Sequence, residues 1–175
     1  MLRARSRVAL GGALVRAARG RDEEGATALH EALAVGQDAA SPYAAAACRE
    51  LGYVEFLRGR YERALGWLRR AAPLAAGNEA ELARIASLSG SILTDTAHYR
   101  EAMASLGGAG MMTSSSVDPR QLAYTLSMHG RALLLHGDAD AAATVLDRSV
   151  ALAQQASTAL LPWPCLLYTS DAADE

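Results

Sequence analysis

Three glycines recur along this chain at nearly equal spacing, and each is followed by the same small and apolar residues. Gly52, Gly90 and Gly130 are 38 and 40 residues apart. An alanine follows each of them after twelve residues and a leucine after sixteen. A period near 40 in an Ala-rich and Leu-rich sequence is typical of antiparallel helix pairs that repeat along the chain. The spacing therefore predicts an all-α chain of helical hairpins.

The clearest hairpin is predicted over residues 46–75, AACRELGYVEFLRGRYERALGWLRRAAPLA. Apolar residues at helical spacing lie on both sides of a turn that contains Gly59. The small Gly52 is expected where the two helices approach closely. The predicted core faces are Leu51, Val54 and Leu57 in the first helix and Ala64, Leu65, Leu68 and Ala71 in the second.

Similar patterns predict four hairpins, with approximate bounds 3–36, 42–76, 78–109 and 118–157, and the start of a fifth at 158–164. In the first and faintest copy, Gly12 and Gly20 take the roles of the packing glycine and the turn glycine. The low-complexity segment 107–116 is expected to be a flexible loop. The prediction is one domain over residues 1–164.

Helix-start signals support these boundaries. Ser41-Pro42 and Asp118-Pro119 each place a side-chain acceptor at the N-cap and proline in the first turn. Asn78 followed by Glu81 has the spacing of a capping box.

Composition excludes several functional classes. The formal net charge is −2 and all 17 basic residues are Arg, spread from Arg3 to Arg148, so no basic field for DNA or RNA is expected. Cys48 and Cys165 form no disulfide or zinc framework, and a reducing, cytoplasmic setting is expected. No apolar run is long enough for a membrane span. Residues 3–19 could be misread as a signal peptide, but an amphipathic helix is preferred.

No pattern indicates catalysis. The four histidines, His30, His98, His129 and His136, lack an evident third metal ligand, and no GxSxG or phosphate-loop motif occurs. The expectation is therefore no enzyme, no metal and no cofactor. An enzyme with a cryptic site on an all-α fold is the alternative from a different class.

The signature Leu51-Gly52, Gly59, Tyr61, Ala64 and Ala71 resembles that of tetratricopeptide repeats. The long period and degenerate copies are similar to the repeat regions of MalT-like, LuxR-family ATP-dependent transcription regulators. The resemblance implies hairpins stacked as a right-handed superhelix (an α-solenoid) that binds a protein, a peptide or a small effector and transmits this state in signal transduction. The ATPase and DNA-binding domains of such a regulator are not recognised in this segment. The copy at 78–109 departs from the signature, with Ala97 where the turn glycine would stand.

If the three glycines are equivalent, the first helices line the concave side of the stack. Arg and Tyr combine contact area with directed hydrogen bonds, which favours recognition, while a solvated helix face is the alternative. The candidate binding residues, expected to be exposed, are Arg49, Tyr53, Arg84, Ser87, Ser91, Asp95, Tyr124, Ser127 and Arg131.

The last eleven residues, 165–175, read CLLYTSDAADE and do not continue the Ala-, Leu- and Arg-rich composition or the helical spacing of the preceding sequence. They match the translation of a transposon-end adapter used in shotgun sequencing, which favours an artefactual tail on a fragment of a larger regulator. Self-association through an uncovered solenoid end is then expected. A stand-alone adaptor is the alternative.

Overall fold

A computed structural model describes residues 2–17, 21–35, 42–110 and 117–156. Within these ranges every regular element is a helix, which confirms the predicted all-α class. None of these helices combines the length and hydropathy that a membrane span requires. The eight helices are α1 (Leu2–Ala17), α2 (Asp22–Val35), α3 (Pro42–Leu57), α4 (Tyr61–Leu74), α5 (Glu79–Asp95), α6 (Tyr99–Gly110), α7 (Pro119–His136) and α8 (Ala139–Gln155).

The chain falls into two compact units, divided between Glu81 and Leu82. In the first unit α1 packs against α2 and α3 against α4, and α3 also contacts α1 and α2. In the second unit α7 packs against both α6 and α8.

Side-chain caps begin three of the helices. The Asp118 carboxylate accepts a hydrogen bond from the Arg120 N–H at 2.9 Å, with a proline in the first turn of α7 as predicted. Asn78 Oδ1 accepts from the Glu81 N–H at 3.1 Å, as its spacing predicts. Asp138 Oδ1 accepts from the Ala141 N–H at 3.2 Å at the start of α8. These acceptors satisfy N–H groups that the helix itself leaves without partners. Ser41 lies outside the described residues.

The helices α3, α5 and α7 end in the same turn. A residue with positive φ follows each helix, at Gly59 (70°), Ala97 (61°) and Gly137 (98°). The N–H of the next residue donates to the carbonyl five residues earlier, at 2.8, 2.8 and 3.0 Å respectively. This is the Schellman arrangement, which satisfies carbonyls at a helix C-terminus. Its strict repetition sets the reversal of the chain in all three hairpins.

The predicted close approach at the recurring glycines is confirmed. A Cβ built on Gly52 would lie 3.2 Å from Leu68 Cγ, and one built on Gly130 would lie 2.5 Å from Leu146 Cγ. Gly90 is closer still to Leu106. Because the three leucines are at most 1% exposed, each hairpin is closed by one glycine and one fully buried leucine.

In the first hairpin the packing glycine is Gly11, and the prediction of Gly12 is wrong. A Cβ on Gly11 would lie 2.7 Å from Leu29 Cγ and 2.9 Å from the Gly25 carbonyl oxygen. Gly12 instead faces Arg16 and Glu50. Leu29 lies eighteen residues after Gly11, two more than in the other hairpins, whereas the prediction allowed a slightly different turn length and placed Leu29 seventeen residues after Gly12. Gly20 lies outside the described residues.

Each unit has its own apolar cluster. The prediction that Leu57 lies in the core is wrong. Leu57 is the last residue of α3, at the chain reversal, and is 52% exposed. Leu51 and Val54 are buried as predicted. The cluster of the first unit consists of Val15, Leu29, Ala32, Ala47, Leu51 and Val54, and that of the second of Ala102, Leu106, Met128 and Ala132.

The segment predicted as a loop from residue 107 is helical through Gly110. Ala109 and Gly110 are buried, and a Cβ on Gly110 would lie 3.0 Å from Leu126 Cδ2 of α7. Small residues are therefore used here for close helix packing, although their composition resembles that of a loop. Residues 111–116 lie outside the described ranges.

Candidate functional site

Three of the nine candidate surface residues are buried, so their predicted exposure is wrong. Ser87, Ser91 and Ser127 are 1%, 5% and 0% exposed. Ser91 donates to the Ser87 carbonyl at 2.9 Å, and Ser127 to the Tyr124 carbonyl at 2.9 Å. A serine that bonds to its own helix backbone can pack at a close contact without leaving a buried hydroxyl unsatisfied.

Ser87 forms a buried link between α5 and α7. Its Oγ lies 2.6 Å from Thr125 Oγ1 and 2.7 Å from the Ala83 carbonyl oxygen. Gln121 Nε2 donates to the same Oγ at 3.2 Å. Because Ser87 and Thr125 are each 1% exposed, their hydroxyl groups stabilise the contact between the two helices and are inaccessible to a ligand.

Arg49 is part of a buried chain of ions. Its guanidinium donates to Glu50 Oε1 at 2.6 Å and to Glu81 Oε1 at 2.7 Å. Arg16 donates to Glu50 Oε1 at 3.0 Å from the other side. The side chains of Glu50, Glu81 and Arg49 are only 6%, 5% and 14% exposed. A buried guanidinium that is paired with two carboxylates stabilises the contact between helices and is not available to recognise a partner.

The pKa of Glu50 is set by two opposing effects. Burial disfavours the carboxylate and would raise its pKa, but the ion pairs and hydrogen bonds from Arg16 and Arg49 outweigh burial. The pKa is therefore held below its ordinary value. Glu50 Oε2 accepts no hydrogen bond from the described residues, although Arg16 Nη1 lies 2.8 Å away in ion-pair contact.

The other candidates reach the surface to different extents. Asp95 and Arg131 form an ion pair at 2.7 Å, which joins α5 to α7. Tyr53 is half-buried, with the Arg16 guanidinium 5.1 Å from its ring centroid. Tyr124 is 40% exposed, and Arg84 is also exposed.

A pocket that sequence analysis missed lies in the first unit, between α2, α3 and α4. It has a volume of about 450 Å³ and is here called the Arg-Trp pocket. The Trp67 ring meets the His30 ring edge-on, with centroids 5.6 Å apart, and the Arg70 guanidinium lies 5.3 Å from the Trp67 ring centroid. The lining residues are His30, Glu55, Arg63, Gly66, Trp67 and Arg70.

The Arg-Trp pocket carries two positive charges that are not neutralised by an ion pair within the described ranges. Arg63 and Arg70 are exposed, and no carboxylate in the described ranges forms an ion pair with either of them. Glu55 Oε2 is buried and accepts no hydrogen bond there, with Arg60 Nη1 3.6 Å away. The pocket thus offers an aromatic wall and two guanidinium groups that have no carboxylate partner in the described ranges. The spacing of Arg63, Gly66, Trp67 and Arg70, all on one helix face, is the sequence signal that could have indicated it.

A second pocket of about 320 Å³ lies in the second unit. The Tyr99 and His136 rings have centroids 6.3 Å apart, and His98 Nδ1 lies 3.1 Å from Thr96 Oγ1. Among the residues that the structure describes, no three His, Cys, Asp or Glu side chains are placed to hold a metal ion. The lining residues are Ala97, His98, Tyr99, Arg100, Glu101 and His136.

Two further groups with reactive potential are shielded. Cys48 is fully buried, and its burial raises the pKa of the thiol, which disfavours a reactive thiolate. Burial lowers the pKa of His129 on α7. Cys165 lies outside the described residues.

No protein-family model matches the chain, and no curated protein matches it either.

Proposed function

We propose that the chain is a helical-repeat interaction scaffold that binds a protein or peptide partner. The observation that supports this proposal best is the recurrence of one hairpin design. Gly52 packs on Leu68, Gly90 on Leu106 and Gly130 on Leu146, always sixteen residues apart, and the same turn ends the first helix each time. Such repetition produces extended surfaces suited to binding other chains.

The proposed arrangement is a right-handed superhelix of the tetratricopeptide type. Contacts between first helices of consecutive hairpins support it in the second unit: Ser87 of α5 meets Thr125 of α7, and Asp95 meets Arg131. In this arrangement the exposed faces of first helices form the binding surface. Its remaining candidate residues are Tyr53 in the first unit and Arg84, Asp95, Tyr124 and Arg131 in the second, whereas Arg49 is held by Glu50 and Glu81.

The wider context in this proposal is a MalT-like, LuxR-family regulator in which the scaffold senses a partner or effector. The resemblance of the repeat signature supports this context. Sequencing the gene in its source genome tests it. An open reading frame that also encodes a nucleotide-binding domain and a helix-turn-helix domain would support the regulator, and a frame without them would leave an adaptor.

The binding role can be tested by site-specific photo-crosslinking in cells of the source organism. A photoreactive amino acid at position 124 lies on the proposed surface, while one at the exposed position 148 on α8 is the control. A discrete crosslinked protein at position 124 that is absent at position 148, and is lost with Arg131→Ala, would support the scaffold. Identical products at both positions would overturn the proposed surface.

A further inference from the structure

We propose that the Arg-Trp pocket is a docking site for an acidic peptide segment of a partner protein. The segment would place two carboxylates on Arg63 and Arg70 and an apolar side chain between them against Trp67. This inference rests on the proposed function, because it names the kind of partner that the scaffold binds. It concerns a different surface from the first-helix faces.

The charges of the pocket define its ligand. Arg63 and Arg70 are exposed cations without an ion-pair partner in the described part of the chain. Free guanidinium groups suit carboxylates, with which they form two parallel hydrogen bonds. The two residues are two helical turns apart, about 10 Å along the axis of α4. At this separation each guanidinium can hold its own carboxylate, so we assign the ligand two acidic groups.

The space between the two cations is open. Gly66 lies on the same face of α4, and the nearest atom to a Cβ built there is Arg69 Nη2 at 4.0 Å. Trp67 packs against the core cluster of the first unit, so its ring is held in place as a wall of the pocket. An apolar side chain of the ligand can lie over Gly66 against this ring, where it loses exposed area at little cost in ordering the protein.

The separation of the two cations favours a peptide over a small organic dianion. A peptide can set its acidic side chains about 10 Å apart, which is the axial separation of Arg63 and Arg70, whereas the two carboxylates of succinate lie much closer together. Glu55 Oε2 takes no part in this contact, because it is buried and lies 3.6 Å from Arg60 Nη1 in ion-pair contact.

The length of the segment follows from the spacing of the cations. A peptide in the polyproline II conformation advances about 3.1 Å per residue with about three residues per turn. Acidic residues three positions apart then lie on the same side of the peptide, about 9 Å apart, close to the spacing of Arg63 and Arg70. The ligand is a short motif with an acidic residue at each end and an apolar residue between them.

The test measures fluorescence anisotropy of a labelled peptide, Gly-Glu-Ala-Leu-Glu-Gly, as the full 175-residue chain is added. We expect saturable binding that weakens as NaCl is raised, because exposed charges are screened. A peptide with Gln in place of both Glu residues should not bind. Free glutamate and succinate are the competitors, and each should displace the peptide far more weakly than unlabelled peptide does.

Variants locate the site. Arg63→Gln and Arg70→Gln should each weaken peptide binding by about tenfold, the loss expected for one charge-assisted contact. The control is Arg148→Gln, which removes an exposed cation of α8 that does not line the pocket. It should change the dissociation constant by less than about twofold. Since all three residues are exposed, circular dichroism should show that each variant remains folded.

Three outcomes would overturn the proposal. Equal binding of the Gln peptide would show that carboxylates are not recognised. An equal loss with Arg148→Gln would show only diffuse attraction to an Arg-rich chain. Displacement by succinate as effective as by peptide would indicate a small dianion site. None of these outcomes alters the crosslinking result at position 124, so the pocket and the scaffold surface can fail separately.

Discussion

Gly90 of α5 lies directly against the side chain of Leu106 of α6, so that a Cβ on residue 90 would overlap the isobutyl group. The Cδ1 and Cδ2 atoms of Leu106 would be 2.7 and 2.6 Å from such a Cβ. Leu106 is completely buried, and the helix backbone of α5 forms one wall of its site. The hairpin therefore depends on the absence of a side chain at residue 90.

Gly90→Ala should lower the free energy of unfolding by about 2–3 kcal/mol, because the added methyl group displaces a buried leucine. Gly52→Ala should cost less, about 1 kcal/mol, since its Cβ would be 3.2 Å from Leu68 and from the Ala64 carbonyl oxygen. Urea unfolding followed by circular dichroism measures both values.

The control is Gly108→Ala in the exposed part of α6, where nothing lies within 4 Å of a built Cβ. There the higher helix propensity of alanine should raise stability by about 0.5–1 kcal/mol. Equal losses for all three variants would mean that crowding is not the reason for glycine at residue 90.

Sequence periodicity was enough to predict the helices, because a glycine and a leucine sixteen residues apart are the two halves of one contact. It also predicted the turn at Gly59, because glycine adopts the positive φ that such a turn requires. It was wrong at Gly12, because the first hairpin differs from the others by two residues between glycine and leucine and not by the one residue expected. It also took 107–110 for a loop, since small residues have the same composition in a loop and in a close helix contact.

Exposure at the candidate surface was harder to predict. Ser87 and Ser127 have a polar side chain and were expected to face solvent, but a hydroxyl can be satisfied by its own helix backbone. The Arg-Trp pocket was missed because His30 and Glu55 come from helices other than α4. Only the fold brings these residues to Trp67.

Ala97 has the left-handed conformation that the equivalent Gly59 and Gly137 adopt, with φ of 61°. A left-handed alanine is strained by its Cβ. Ala97→Gly should therefore stabilise the chain by about 1 kcal/mol and raise Tm by roughly 3 °C. Gly137→Ala should have the opposite effect. Thermal unfolding by circular dichroism measures both, and a lower Tm for Ala97→Gly would show that the strain is absent.

The hydroxyl pair Ser87 and Thr125 should show energetic coupling. Each single variant, Ser87→Ala or Thr125→Val, leaves one buried hydroxyl without its partner at 2.6 Å. Either change should cost about 1–2 kcal/mol, and the double variant less than the sum, with a coupling of about 0.5–1.5 kcal/mol. Urea unfolding of the four proteins gives this cycle. Additive losses would mean that the backbone bonds of each hydroxyl, and not the pair, stabilise the contact.

Glu50 should make stability depend on pH in the acid range. Its pKa is held below the ordinary value of 4.5 because Arg16 and Arg49 outweigh the effect of burial. A carboxyl whose pKa is lowered by folding contributes stability above its unfolded pKa, and this contribution is lost as pH falls through the folded pKa. Stability should therefore decrease as pH falls below about 4.5, where the unfolded chain binds a proton more readily than the folded one.

Glu50→Gln removes this contribution and leaves Arg49 with Glu81 as its carboxylate partner among those in the buried chain of ions. At neutral pH we expect a loss of about 2 kcal/mol, since Arg16 and Arg49 each lose a charge-assisted hydrogen bond to the carboxylate while Arg49 keeps Glu81. The difference from the unaltered chain should shrink as pH falls, because the native carboxyl then becomes neutral too. Urea unfolding measured between neutral and acid pH gives this difference directly. The control is Glu24→Gln, whose exposed pair with Arg21 should contribute little at any pH. A difference for Glu50→Gln that stays constant with pH would mean that Glu50 stabilises the chain by packing and not by its charge.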